Sequence, residues 1–199
     1  KSSPGTDGTG ISIENDVDVR NFDNAEIAMR LNSDIRNGDI FYTDLNGFQM
    51  IKRKRYDAKL PLQGNYYPIP SMAYIQDDNS RLNILTRQPL GGGSLASGQL
   101  EIMQDRRLMQ DDNRGLGHGV TDNHVTRHEF FILLERKLKN CQNEAGADGE
   151  GDSMASYPSL TALNLRHSQL NPFFRLVYVA DSSADVMAKQ YEPVDKDLS

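Results

Sequence analysis

The sequence predicts an all-β fold, an antiparallel β-sandwich, and three observations carry that expectation. Apolar and polar residues alternate in short runs, as in Ala25–Asn32, where Ile27, Met29 and Leu31 fall on one side and Ala28 and Arg30 on the other. Turn-forming pairs recur at short intervals, among them Asn37-Gly38 and Asn46-Gly47. Almost no stretch repeats its apolar residues about every 3.6 positions, so helices have little to bury.

Taken in order, residues 1–10 hold nothing large and apolar except lysine methylenes, and they read as a flexible lead, drawn here as residues 1–14. The sandwich core is expected over 15–138, an acidic glycine-rich linker over 139–156, and a C-terminal strand and tail over 157–199. Strands are expected at Ala25–Asn32, Ile40–Leu45 and Phe48–Tyr56, and the two Asn-Gly turns between them imply a meander. The run Lys52-Arg53-Lys54-Arg55 could serve as a nuclear signal, a processing site or an anion patch. It continues Phe48, Met50 and Ile51, so a solvated strand is the plainer use.

Pro61, Pro68 and Pro70 space out Leu60, Leu62, Tyr66, Tyr67 and Ile69, which fits an edge strand or buried loop because proline removes a ladder donor. Met72–Ile75 and Leu82–Thr86 flank Gln76-Asp77-Asp78-Asn79-Ser80, a hairpin with a polar tip. Gly91-Gly92-Gly93-Ser94 invites a phosphate-loop reading, but no Gly-Lys-Ser/Thr follows and no helical pattern starts there. A flexible turn before the next strand is the expectation. His128–Arg136 carries Phe130, Phe131, Ile132, Leu133 and Leu134, as a strand covered on both faces does. Phe173–Ala180 is the last strand candidate.

At 199 residues the chain can bury one substantial core. Its formal charge of -6 argues against a nucleic-acid partner, whose binding would rest on phosphate neutralisation. No run of the sequence is long and apolar enough to span a membrane, and no signal peptide is visible. Lys1 in place of methionine suggests a fragment or a processed product. Cys141 is the sole cysteine, so it reads as a free thiol, with a disulfide to another chain as the alternative. No Asn-x-Ser/Thr sequon occurs.

One stretch organises the rest. Gln99–Asn123, QLEIMQDRRLMQDDNRGLGHGVTDN, opens as an alternating strand with Leu100 and Ile102 on one face and Glu101 and Met103 on the other. Acids and arginines then surround Gly115, Gly117 and Gly119, which cannot fill a core and so serve the backbone's shape. This reads as a shaped loop on a rigid sheet, a usual place for ligand contact.

The segment QPLGGGSLASGQLEIMQDRRLMQDDNRGLGHGVTDN, with FYTDLNGFQM and KLPLQGNYYPIPSMAYIQD before it, resembles the C-terminal all-β region of the Golgi α-mannosidase II family, glycoside hydrolase family 38. The resemblance runs over roughly 17–136 and returns at 156–160; the residues before Asn15 and after about Thr161 carry no family motif. It implies a portion of a galactose-mutarotase-like sandwich, attached covalently or as a processed chain to an N-terminal catalytic barrel. It also implies a secretory-pathway location, in the Golgi lumen or outside the cell.

A retaining glycosidase needs two carboxyls about 5 Å apart. Asp44, Asp77, Asp78, Asp105, Asp111, Asp112 and Asp122 are the candidates, yet the adjacent pair Asp111-Asp112 points two ways in most backbones. The ordinary use of these acids is to accept backbone N–H bonds in turns or to pair with Arg106, Arg107 or Arg114. The resemblance places the zinc, the nucleophile and the general acid in the barrel, so no catalytic residue and no cofactor are expected in this chain. It implies instead that Asp111, Asp112, Arg114 and Gly115 form a loop contacting a mannose-containing glycan, Arg114 through its guanidinium or its carbonyl. His124 and His128 would share a helix face with zinc-ligand spacing, with His118 as a third ligand; on a strand they stand about 13 Å apart, too far for one metal. The alternative function is a non-catalytic carbohydrate-binding or structural module.

Overall fold

The structure is a computed structural model that describes residues 6–111, 113, 115, 117–137 and 157–172. Ten strands form it: β1 (Ile11–Val17), β2 (Ala25–Asn32), β3 (Ile40–Leu45), β4 (Gln49–Lys54), β5 (Tyr67–Ile69), β6 (Met72–Gln76), β7 (Ser80–Thr86), β8 (Leu90–Gly93), β9 (Gln99–Arg107) and β10 (Thr126–Arg136). One helix among the described residues, α1 (Leu160–Leu170), follows, and short 3-10 turns occur at Thr6–Thr9 and Leu62–Asn65.

The strands make a six-stranded sheet, ordered β1-β10-β7-β6-β3-β4, and a four-stranded sheet, β2-β9-β8-β5. The neighbours in both pair antiparallel. This is the all-β sandwich the alternation predicts. Side chains of one parity fill the space between the sheets: Phe41, Ala73, Ile75, Leu82, Ile84 and Phe130 from the large sheet meet Ile69, Leu100 and Ile102 from the small one. The mean stabilisation from such burial is about 25 cal/mol per Å² of apolar surface removed from water, which makes this layer the main source of stability.

The other parity of the large sheet is covered too. Tyr42, Met50, Met72, Tyr74, Leu85 and Leu133 form a second cluster against Ala162 and Leu165 of α1. Ser159 caps the helix by accepting the Ala162 N–H at 3.0 Å, and its hydroxyl donates to Glu135. Farther along, Arg166 Nη1 donates to the Gly47 carbonyl at 2.8 Å and Gln169 Nε2 to the Glu129 carbonyl at 3.3 Å. The apolar run of β10 is covered on both faces over Phe130–Leu133, Phe130 by the small sheet and Leu133 by a helix that the sequence reading does not anticipate, whereas Leu134 is 65% exposed.

Several local expectations need correction. The lead ends earlier than residue 14, because β1 begins at Ile11 and pairs with Ile132. Gly91–Gly93 is not a turn but part of β8, where a Cβ on Gly92 would sit 2.3 Å from the Glu101 carbonyl oxygen. Asn37-Gly38 does not close a hairpin, since β2 and β3 lie in different sheets. Asn37 is instead a buried clamp at the crossing: Nδ2 donates to the Ile40 carbonyl at 2.6 Å, and Oδ1 accepts the Gly98 N–H at 2.7 Å. Asn46-Gly47 does close the β3–β4 hairpin, with φ of 50° and 71° at its two residues.

Lys52–Lys54 of the basic run lie on β4, the edge of the large sheet, with Lys52 and Lys54 exposed and the Arg53 guanidinium 4.6 Å from the Tyr67 ring centre, and Arg55 follows the strand. The proline-spaced segment supplies β5, the edge of the small sheet. Residues 157–172 form a cap and helix at the start of the stretch expected to hold the C-terminal strand and tail. The linker 139–156, Cys141 and the strand candidate Phe173–Ala180 lie outside the described residues.

Candidate functional site

β9 carries the glycine-rich loop outward from the sandwich, and its base is built in steps. The ladder between β2 and β9 slips one residue at Ile27/Ala28, so Gln104 is an extra residue on β9 and turns the strand. Beyond it, Arg107 Nη1 donates to the Thr121 carbonyl at 2.8 Å and Asn123 Nδ2 to the Arg106 carbonyl at 2.8 Å. Leu108 and Val120 then form an antiparallel bridge, exchanging N–H···O bonds of 3.0 and 2.8 Å. Gly119 fits this neck because a Cβ there would lie 2.2 Å from the Leu108 carbonyl oxygen. Met109 is tied across to the β1–β2 turn, its N–H on Asn24 Oδ1 at 2.9 Å.

Past the neck the chain turns through left-handed backbone, φ 58° at Asn113, 139° at Gly115 and 67° at Gly117. Asp111, half-buried, accepts the Asn113 N–H, the side-chain-to-backbone turn expected of one acid here. Gly115 is exposed with open space on its Cβ side. Asp112 and Arg114 lie outside the described residues. The expected pairing of a loop acid with Arg106 or Arg107 does not occur among the described residues; Arg107 Nη1 donates to Thr121 and Asn123, and its Nε is buried without a hydrogen-bond partner.

The other candidate acids are scattered over the sandwich, and Asp44, Asp77 and Asp105 are occupied. Asp44 is buried and accepts four hydrogen bonds from Gly47, Ser71 and Met72. Asp77 accepts the N–H groups of Arg36, Asn79 and Ser80 at the far end of the sandwich. Asp105 accepts the Arg106 N–H at 2.7 Å and the Asn123 amide at 3.1 Å. Asp78 is exposed on the β6–β7 turn, and Asp122 is exposed between the loop neck and β10. Asp77 and Asp78 line one concavity together with Arg36, Lys52 and Lys137, and Asp105 lines another with Glu26.

Residues 6–114, more than half of the chain, match the model of the glycosyl hydrolases family 38 C-terminal domain. The chain belongs to that family. Over 166 residues it is 53% identical to alpha-mannosidase 2 of Drosophila melanogaster, a match that covers 83% of this chain and 14% of the relative. Alpha-mannosidase 2 of Homo sapiens is 49% identical over 78% of this chain and 13% of its own length. The lysosomal alpha-mannosidase of Bos taurus is 36% identical over 56% of this chain and 12% of its own. The chain therefore spans about a seventh of the length of the relatives it matches.

The family 38 domain holds one feature beside the loop that sequence reasoning missed. On the outer face of the small sheet a concavity of about 520 Å³ is lined by Glu26, Leu62, Tyr66, Met103, Arg106 and Val120, among others. Tyr66, on its wall, donates its hydroxyl to a buried carboxylate, Glu101, which also accepts Arg30 Nε at 2.6 Å. Burial, and then the hydrogen bond to Glu101, pushes the Tyr66 phenol well above its ordinary pKa, so it remains a donor. The signal was available, since Glu101 alternates with the core residues Leu100 and Ile102 and must leave on the other face.

The described residues of the domain do not fit a zinc ion, for no three His, Cys, Asp or Glu side chains gather among them. His118 and His124 are exposed. His128 lies on β10, buried, stacked 6.3 Å from the Phe130 ring, with both ring nitrogens lacking a hydrogen-bond partner. Burial lowers its pKa below the ordinary 6.5, against the smaller opposing pull of Asp105. The unfolded chain therefore binds the proton more readily, and stability falls as pH drops below about 6.5. His128→Leu is expected to flatten that decline. Urea midpoints of parent and variant at pH 7.5 and 5.5 check it, and an equal loss in both would assign the decline to other groups.

Proposed function

We propose that this domain is the C-terminal β-sandwich of an α-mannosidase of the secretory pathway, Golgi rather than lysosomal in type, which trims mannose from N-glycans. In this reading the 108–120 loop completes a sugar pocket whose reactive groups, with their zinc ion, stand on a catalytic barrel elsewhere in the enzyme. The observation that carries it is the loop's construction: a bridged neck holds a left-handed, glycine-rich tip clear of the sandwich. The similarity to alpha-mannosidase 2 supports the enzyme class, and the small share of each relative that is matched supports a partner region in the same protein. Within the tip, Arg114 contacts mannose, with Asp111, Asp112 and Gly115 shaping the turn around it.

The chemistry fits this division of labour. Sugar hydroxyls both donate and accept, so a guanidinium or a backbone carbonyl at the tip can bind them without taking part in bond cleavage. Asp44, Asp77 and Asp105 are committed to backbone, hydroxyl and amide donors, and in this reading the acid and nucleophile roles fall to the barrel. The isolated chain should give no turnover of an aryl α-mannoside above blank; zinc-dependent turnover by it would overturn the reading. In the complete enzyme, Arg114→Ala should lower kcat/KM by about 10- to 100-fold if the guanidinium makes the contact, as for loss of a charged hydrogen bond. If the carbonyl makes it, Arg114→Ala should be nearly silent and distortion of the loop neck should be costly.

A further inference from the structure

At the end of the sandwich away from the loop, a concavity of about 420 Å³ opens on the face of the large sheet that α1 covers farther along. Three cations line it, Arg36, Lys52 and Lys137, together with Asp77, Asp78 and the ring of Tyr42. The register sets the floor. Tyr42 of β3 stands between its direct partners Lys52 of β4 and Tyr74 of β6, and its ring stacks on that of Tyr74 at 4.6 Å. Two backbone ties bring in the other cations. The Arg36 N–H donates to Asp77 Oδ2 at 3.1 Å and the Lys137 N–H to the Asn79 carbonyl at 2.8 Å, so the β2–β3 crossing and the end of β10 are both held to the β6–β7 turn.

Positive charge is left over here. Arg20, Arg87 and Arg127 each pair with a carboxylate elsewhere on the sandwich. Arg36, Lys52 and Lys137 make no ion pair among the described residues. Asp77 spends three of its four lone-pair sites on the N–H groups of Arg36, Asn79 and Ser80, and Asp78 is exposed on the turn. Three cations against two carboxylates leave the concavity net positive. One solvated lysine is ordinary on any surface. Three cations from separate segments, fixed around one concavity by backbone bonds, are not.

The mixture of groups selects the ligand. A bare anion would answer the cations but face the two carboxylates, and a neutral sugar would leave the cations unanswered. A sugar bearing an anionic group meets both: its oxyanion accepts from Arg36, Lys52 and Lys137, while its hydroxyls donate to the remaining lone pairs of Asp77 and Asp78. We infer that this concavity is a binding site for an acidic sugar, one carrying a carboxylate or a phosphate ester. It stands apart from the 108–120 loop and does not depend on the function proposed for that loop.

Equilibrium dialysis of the complete enzyme at low ionic strength tests it, with labelled glucose 6-phosphate, N-acetylneuraminate, glucose and inorganic phosphate as the probes. One of the two acidic sugars is expected to bind at least about 10-fold more tightly than glucose or inorganic phosphate, as charged hydrogen bonds and hydroxyl contacts together predict, and the tighter of the two identifies the anion. The double variant Arg36→Gln, Lys52→Gln should weaken that binding by about 10-fold or more, with kcat/KM on an aryl α-mannoside unchanged. Inorganic phosphate binding as tightly as the acidic sugars would mean an adventitious ion only and would overturn the inference. So would binding of neither acidic sugar, or binding that the double variant retains in full. A parallel fall in kcat/KM would assign the lost binding to the reaction's own pocket and overturn it as well.

Discussion

Asp44→Ala is expected to destabilise the sandwich by about 4 kcal/mol, enough to unfold much of the chain, because it strands several donors away from water at once. The Asp44 carboxylate is 1% exposed. Its Oδ1 accepts the N–H groups of Ser71 and Met72 at 3.0 and 2.9 Å, and its Oδ2 accepts the Ser71 hydroxyl at 2.6 Å and the Gly47 N–H at 2.7 Å. One side chain thereby fixes the β3–β4 hairpin to the corner where β5, in the small sheet, leads to β6 in the large one. Asp44→Asn keeps one acceptor oxygen for two amides but points an NH2 group at the other donors, so about half the loss is expected. Urea unfolding followed by circular dichroism measures both. A loss below about 1 kcal/mol for Asp44→Ala would show that the corner holds without its clamp. The same geometry removes Asp44 from the glycosidase candidates, since a carboxylate with all four lone-pair sites engaged has none for a substrate.

Strands were legible from alternation and from turn signals. Ala25–Asn32 coincides with β2, whose burial alternates with a period of two, and Ile40–Leu45 coincides with β3, buried throughout Phe41–Asp44 but flanked by two Asn-Gly pairs. Connections were less legible. An Asn-Gly pair closes a hairpin at 46–47, yet at 37–38 the asparagine side chain bonds across the sandwich, and nothing local distinguishes the two. The Gly91–Gly93 run read as a turn for want of side chains; its purpose is the close approach of β9 and of Asn65, which lie distant in sequence. Helix α1 was hidden because it buries only Ala162 and Leu165, too few positions for a period to emerge. Its start was marked by Ser159, the N-cap. At the site, the loop's exposure and curvature followed from its glycines, whereas the bridge at Leu108–Val120 and the tie to Asn24 are long-range facts of pairing.

Gly119→Val, in the complete enzyme, is expected to lower kcat/KM on an α-mannoside by about 100-fold while the sandwich stays folded, as when a binding group is displaced by about 1 Å. Position 119 needs glycine for close approach. A Cβ would stand 2.2 Å from the Leu108 carbonyl oxygen, 3.0 Å from the Met109 carbonyl carbon and 3.2 Å from the Gln110 nitrogen. All three are backbone atoms, so no side chain can swing aside and the two legs of the neck must part. Parting them breaks the Leu108–Val120 bridge on which the tip's position depends. The strain stays local, because the neck projects beyond the last rung of the β2–β9 ladder, and the urea midpoint should move by less than about 1 kcal/mol equivalent, as for a surface loop. Read with Arg114→Ala, the variant locates the contact. Loss in both assigns it to the guanidinium, and loss in Gly119→Val alone assigns it to tip backbone. Full kcat/KM in a folded Gly119→Val enzyme would mean that the position of the tip does not matter to the sugar, and the loop would lose its place in the pocket.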